Sequence, residues 1–241
     1  MKNSKVLFLD LVNQIKIEEN QDEIHSMVYL LLENLFSIFR TDILSEKEVV
    51  FHDTDGAKIE SIIRRINRHE PIQYILGRTA FYGRDFSVNK AVLIPRPETE
   101  ELVRLIVAYC HRVYAYKPCR ILDIGTGSGC ISITLALELA NATVFATDVS
   151  VDSIAVATEN ALQLGASVQF FASDIIRDQI PVGNIDVVVS NPPYIPMVEK
   201  ETMSRNVLDF EPHLALFVED EDPLFFYKII VEKSQRVLSS T

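Results

Sequence analysis

The chain has 241 residues, 48% hydrophobic and 24% charged, with 23 Lys+Arg against 34 Asp+Glu for a formal charge of -11. That length buries a real core in one large or two modest domains, and a balance this acidic argues against a general nucleic-acid phosphate footprint and favours a basic partner. No apolar run approaches the roughly 20 residues that span a bilayer, and the N-terminus turns acidic before a signal-like apolar stretch, so no membrane association is expected. Cys110, Cys119 and Cys130 show neither CxxC spacing nor an even count. Neither a disulfide framework nor a zinc site is indicated, and a reducing cytoplasm is the expected location.

Residues 1–75 hold 9 basic and 13 acidic residues, one Gly and one Pro. Ile24, Met27, Val28, Leu31, Leu35 and Phe39 recur at helical spacing over 22–39. Ile59, Ile62, Ile63 and Ile66 do the same over 56–69. A weaker helix is predicted over 5–16, and Ser45 with Glu48 has the capping-box pattern that starts a short one. Such stripes bury themselves against each other, which predicts a helical bundle over 1–75. Arg64, Arg65, Arg68 and His69 read as its solvated basic helix end.

Pro71 is expected to end the last of these helices. The β-rich runs of 76–95, broken by Gly83 and Asn89, predict a hairpin linker. From 96 to 241 a helix near 98–113 precedes strands over 120–124, 143–147, 168–172 and 185–190. Helices near 129–140 and 151–164 separate the first three. That alternation predicts an α/β domain with a parallel, Rossmann-like sheet. EDED at 219–222 reads as a solvated loop.

The first strand runs into Asp123-Ile124-Gly125-Thr126-Gly127-Ser128-Gly129. Glycines at that junction let the backbone press against a ligand beside a helix N-terminus. A dinucleotide fingerprint requires Gly at 130, which is Cys130, so a nicotinamide oxidoreductase is disfavoured. GxGxG after an acidic residue instead resembles the S-adenosylmethionine loop of Rossmann-like methyltransferases, and Asp123 offers negative charge to that cofactor's cationic end. The second strand ends in Asp148, placed to accept the ribose hydroxyls, or alternatively to cap the next helix. The third ends in Asp174-Ile175; in methyltransferase folds of this class such an Asp typically accepts the adenine amino group while the N–H of the next residue, here Ile175, reaches a ring nitrogen, or alternatively Asp174 caps a helix.

The fourth strand ends in Asn191-Pro192-Pro193-Tyr194, of which Asn191 is expected on the cofactor side and all four on the substrate side. A planar nitrogen attacks a methyl group poorly because its lone pair is conjugated. The side-chain carbonyl of Asn191 and the main-chain carbonyl of Pro192 can each accept one N–H of an NH2 group, aiming the lone pair and stabilising the charge that develops. Both prolines fix the backbone, and Tyr194 offers a flat wall. The tetrapeptide fits methylation of a carboxamide or of an adenine amine equally well.

Pro71-Ile72-Gln73-Tyr74-Ile75-Leu76-Gly77, Phe81-Tyr82-Gly83, Leu93-Ile94-Pro95-Arg96-Pro97-Glu98-Thr99-Glu100 and Glu211-Pro212 stand in order around these two motifs. Together they resemble the HemK/PrmC family of release factor glutamine methyltransferases, over about residues 70–238. The resemblance implies methyl transfer to the amide nitrogen of the Gln in the Gly-Gly-Gln motif of class I release factors, with S-adenosylhomocysteine as product. It also implies that the helical domain grips that protein. The PRPETE segment lies near the active site in the family, and an Arg96–Glu100 ion pair is one reading of it. Two departures stand out. Ile175 replaces a common aromatic, and the sequence stops at Thr241, where family members continue into further strands. A sheet edge exposed at strand four, with reduced stability or activity, is the expectation from that second departure. Two rival readings are an N6-adenine methyltransferase of DNA or RNA and a non-catalytic protein that binds cofactor or partner only.

Overall fold

The computed structural model describes residues 2–50, 53–115 and 117–239. The chain divides into two units, one formed by the residues up to Gly77 with Arg205–Phe210, the other by Arg78–Ser204 with the chain from Glu211 onward.

The first unit runs β1 (Lys2–Asn3), α1 (Ser4–Gln14), α2 (Gln21–Phe36), α3 (Arg40–Leu44), β2 (Glu48–Val49), α4 (Asp53–Ile66) and α5 (Ile72–Leu76). Asn3 and Asn20 cap α1 and α2 by accepting from backbone N–H groups of the first turn. The two apolar stripes meet as anticipated. Leu7, Leu11, Val28, Leu31, Leu32, Ile59, Ile62 and Ile66 form one buried cluster, where each large side chain contributes roughly 1.5–3 kcal/mol by leaving water.

Three expectations are corrected here. Helix α2 stops at Phe36 because Ser37 turns left-handed (φ 52°), so Phe39 leaves the stripe and is exposed. Ser45 and Glu48 start no helix: Ser45 ends α3, and Glu48 pairs with Asn3 in the β1–β2 ribbon. The capping carboxylate is Asp42, which accepts from the N–H of Phe39. Pro71, finally, opens α5 rather than closing α4, which has already ended at Ile66. The basic helix end is partly neutralised, Arg64 by Glu60 and Arg65 by Glu70.

The second unit opens with the hairpin β3 (Arg78–Phe81) and β4 (Arg84–Ser87), turned by Tyr82 and Gly83, both at positive φ. Then follow α6 (Thr99–Val113), β5 (Cys119–Ile124), α7 (Cys130–Glu138), β6 (Ala142–Asp148), α8 (Val151–Leu164), β7 (Val168–Ala172) and β8 (Val187–Ser190). The short strands β9 (Ile195–Pro196) and β10 (Phe217–Val218) pair in parallel, and α10 (Phe225–Ser234) comes last; α9 (Arg205–Phe210), between them in sequence, belongs to the first unit.

Strands β5 to β8 make a four-stranded parallel sheet in the order β7-β6-β5-β8. Its side chains alternate between two apolar clusters. Ile121 joins Val103, Ile106, Ile133 and Leu135 on one face; Leu122 and Ile124 join Phe145, Ile185 and Ile230 on the other. Burial on both faces explains why the strand sequences read as continuous apolar runs. The chain travels outward from β5 to β7, then returns to the opposite side of β5 as β8. The crevice at the carboxyl ends of β5 and β8 is therefore a topological switch point, where open α/β sheets bind ligands. The edge at β8 is not bare at its start: Ile185 bridges in parallel to Leu238, bonding through Val237 O and Ser239 N.

Candidate active site

A cavity of about 360 Å3 opens at this switch point. Its walls include Gly125 to Ser128 after β5, Asp148 at the end of β6, Asp174 and Ile175 after β7, and Asn191 to Pro193 after β8. Sequence motifs scattered over 69 positions (125 to 193) thus share one concave surface, in the size range of small-molecule sites.

The glycine loop is held by its own backbone. The N–H groups of Gly125 and Thr126 both donate to Thr147 O, at 2.8 and 3.0 Å. Gly127 N–H donates to Asp148 Oδ2 at 2.9 Å, and Ser150 N–H donates to Asp148 Oδ1 at the same distance. Asp148 therefore fastens the loop and shapes the entry to α8 together, while Ser150 is the cap of that helix. Burial raises the Asp148 pKa against these hydrogen bonds. Asp174 forms a local turn by accepting from Ile176 N–H, and it lies 3.5 Å from the Arg177 guanidinium.

Three sequence-derived site residues do not line the cavity. Asp123 is fully buried beneath the loop, where Oδ2 accepts from Thr126 Oγ1 at 2.7 Å and Oδ1 has no partner among the described residues. Burial pushes its carboxyl up to about 6, against the hydrogen bond from Thr126 and the nearby polar Ser132. Gly129 is a packing glycine. With φ at +81°, a Cβ there would stand 2.7 Å from Ile133 Cδ1 and 3.1 Å from Ala157 Cβ. Tyr194 is exposed outside the cavity; burial first, and then its proximity, raises the Tyr227 hydroxyl pKa.

Sequence reasoning missed one whole wall as lining. Leu93, Pro95 and Arg96 come from the loop before α6, Thr99 from the first turn of that helix, and Phe226 and Ile230 from α10. The PRPETE motif marked the first group; nothing but the helical spacing of α10 marked the second. The Arg96–Glu100 pair does not form. Arg96 pairs with Glu211, while Glu100 accepts from Tyr82 N–H and pairs with Arg104.

The residues present fit S-adenosylmethionine. Gly125 and Gly127 take positive φ with open space where a Cβ would stand. The unpartnered Asp123 oxygen offers buried negative charge below them, and Asp148 with Ile175 supplies an acceptor and an apolar wall for a nucleoside. A parallel switch-point sheet with this loop and an Asn-Pro-Pro-Tyr exit defines an S-adenosylmethionine-dependent methyltransferase with a Rossmann-like fold.

Comparison with known proteins narrows the class. Residues 13–77 match the PrmC N-terminal domain and residues 110–210 the Methyltransferase small domain. The chain is 42% identical over 240 residues to the release factor glutamine methyltransferase of Flavobacterium psychrophilum, covering 100% of this chain and 83% of that one. It is 44% identical to the enzyme of the same name from Bacteroides thetaiotaomicron (90% and 77% covered) and 43% identical to that of Bacillus anthracis (92% and 76%). The chain belongs to the release factor glutamine methyltransferase family.

Proposed function

We propose that this protein methylates the side-chain amide nitrogen of the glutamine in the Gly-Gly-Gln motif of class I peptide chain release factors, in the cytoplasm. The observation that carries the reading is the state of two oxygens at the end of β8. Asn191 and Pro192 lie on the cavity wall with the glycine loop, and among the described residues no group donates to the Asn191 side-chain carbonyl or to the Pro192 carbonyl. Two acceptors left unused beside a cavity suit an incoming NH2 group.

S-adenosylmethionine, when bound, supplies an electrophilic methyl group and leaves as S-adenosylhomocysteine. Gly125, Thr126, Gly127 and Ser128 hold its amino-acid end, with Asp123 acting through charge from below. Asp148 accepts from the ribose, and Asp174 with Ile175 receives the adenine. Asn191 and Pro192 grip both hydrogens of the target amide, which orients its lone pair and offsets the charge growing on nitrogen. Pro193 stiffens that exit, and Tyr194 stands at its rim as a flat surface for the protein substrate. No general base is needed, because the methylated amide cation is acidic enough to lose its proton to water.

The domain roles follow the same reading. Residues 1–75 grip the release factor, 76–95 form the hairpin linker, and 96–241 carry out methyl transfer. An adenine amine would fit the same pair of oxygens, but the family relationship and the charge of -11 favour a protein substrate. The test is incubation with labelled cofactor and, in parallel, a release factor, a DNA duplex and an RNA. The expected result is a mass gain of one methylene on a single glutamine of the release factor. Label on either nucleic acid, or none on the protein, overturns the proposal.

A further inference from the structure

At the opposite end of β5 from the glycine loop, two thiols face each other. Cys110 sits in the last turn of α6 and Cys119 is the first residue of β5, so the short connection between those elements brings them together. Their sulfurs are 3.9 Å apart and share a hydrogen bond. Both side chains are buried in protein, yet both line a second cavity of about 160 Å3, along with His111, Lys117, Glu138 and Asn141. That volume holds several waters. A packing role alone needs no second sulfur at hydrogen-bond distance and no open space beside it. The third cysteine differs: Cys130 is buried at the start of α7, against the other cavity, and no cysteine is its hydrogen-bond partner among the described residues.

We propose that Cys110 and Cys119 are an oxidisable dithiol, which a small hydroperoxide entering the second cavity converts into an intrachain disulfide. The shared hydrogen bond, in which either sulfur can donate, favours a thiolate on the accepting partner against burial and the nearby Asp186 charge. The Cys110 sulfur attacks one peroxide oxygen; the O–O bond breaks, and the departing hydroxide takes a proton and leaves as water. Cys110 is then a sulfenic acid. Cys119 gives up its proton and attacks the Cys110 sulfur, the S–O bond breaks, and a second water leaves. Two thiols have lost two electrons and two protons, and hydrogen peroxide has become two waters. The sulfurs have to close by roughly 2 Å to reach bonding distance, which rotation about the two Cα–Cβ bonds serves. The bridge joins the end of α6 to the start of β5, the strand whose other end carries Asp123 and the glycine loop.

The experiment treats the full chain with hydrogen peroxide, blocks remaining thiols by alkylation, and maps peptides without reduction. The expected result is a loss of two hydrogens' mass in most molecules. It is located in a peptide pair containing Cys110 and Cys119, and thiol reductants reverse it. Cys110→Ser and Cys119→Ser abolish the bridge, and Cys130→Ser retains it. Full alkylation of all three thiols after oxidation, a bridge that includes Cys130, or sulfinic acid on Cys110 without a bridge overturns the proposal. Peptide mapping of the unsubstituted chain decides the matter even where a serine variant fails to fold.

Discussion

Arg96 bonds both carboxylate oxygens of Glu211 through a single guanidinium nitrogen, at 2.8 and 2.9 Å, across 115 positions of sequence. The Ile94 N–H also points at this carboxylate, 3.4 Å from Oε2. Arg96 lines the switch-point cavity, and so does Pro212, the neighbour of Glu211. The ion pair therefore clamps two cavity loops together. The Glu211 side chain is 2% exposed and that of Arg96 35%. Replacing Arg96 with Met strands a buried charge, so the urea midpoint is expected to fall by the equivalent of about 2–3 kcal/mol, the lower range because Arg96 keeps some solvent. Glu211→Gln retains an acceptor and is expected to cost less than half of that. Equal midpoints for Arg96→Met and the parent chain contradict the clamp.

On the proposed function, Asn191→Ala removes one of the two acceptors offered to the target amide. Turnover on a release factor is expected to fall by about 100- to 1,000-fold, the range for losing one preorganised transition-state hydrogen bond. Calorimetric affinity for S-adenosylhomocysteine is expected to change less than about threefold. Matching losses in both quantities assign the residue to cofactor placement instead.

Gly127 and Gly129 differ by two positions and by what surrounds them. Gly129→Ala drives a Cβ into Ile133 and Ala157, so it is expected to destabilise the fold by about 2 kcal/mol or more. Gly127→Ala meets nothing within 4 Å. It carries only the strain of its positive φ, about 1 kcal/mol, but sets a methyl group on the cavity wall. Its larger effect is expected in cofactor affinity, a loss of tenfold or more. Urea unfolding and calorimetry on both variants separate the two behaviours.

Asp123 is expected to make stability, and cofactor affinity on the proposed function, depend on pH. Its carboxyl is pushed up to about 6 by burial, against about 3.9 in an unfolded chain. Between those values the folded protein keeps a proton that the unfolded chain has lost. Stability is therefore highest below about pH 4 as far as this group is concerned, and falls as pH rises to 6, by on the order of 2 kcal/mol. A cationic ligand end favours the carboxylate, so affinity for S-adenosylhomocysteine, which retains the ammonium, is expected to rise over the same window. Asp123→Asn should flatten both profiles; titrating urea midpoints and binding constants from pH 4 to 7 checks this.

The sheet and the loops at its carboxyl end were legible because each rests on local chemistry. Apolar runs at β5, β6 and β8 read as doubly buried strands, and Gly125 and Gly127 announce positive φ. What the sequence hid depends on long-range partners. Asp123 reads as a cavity residue, but its place in β5 puts it on the face covered by α7, where Thr126 and Ser132 meet it. Arg96 has a carboxylate four residues away in Glu100, yet its partner is Glu211, because the loop before α6 folds against the segment after α9. Phe226 and Ile230 follow a helical period that buried core residues share, so nothing local marks them as cavity walls. Ser45 and Glu48 satisfied a capping pattern, but Asp42 supplied the cap three residues earlier.

Asn160, buried in the middle of α8, donates to Ser87 O and Ser128 O and accepts from Ser87 N–H. One carboxamide thus stitches the hairpin strand β4 to the glycine loop. The stitch depends on chemistry rather than shape: Asp has nearly the same outline, but it would turn its second oxygen toward two carbonyls that each need a proton. Position 160 is therefore a point where a swap of NH2 for O, invisible to any measure of volume, loosens the cofactor cradle and the hairpin together.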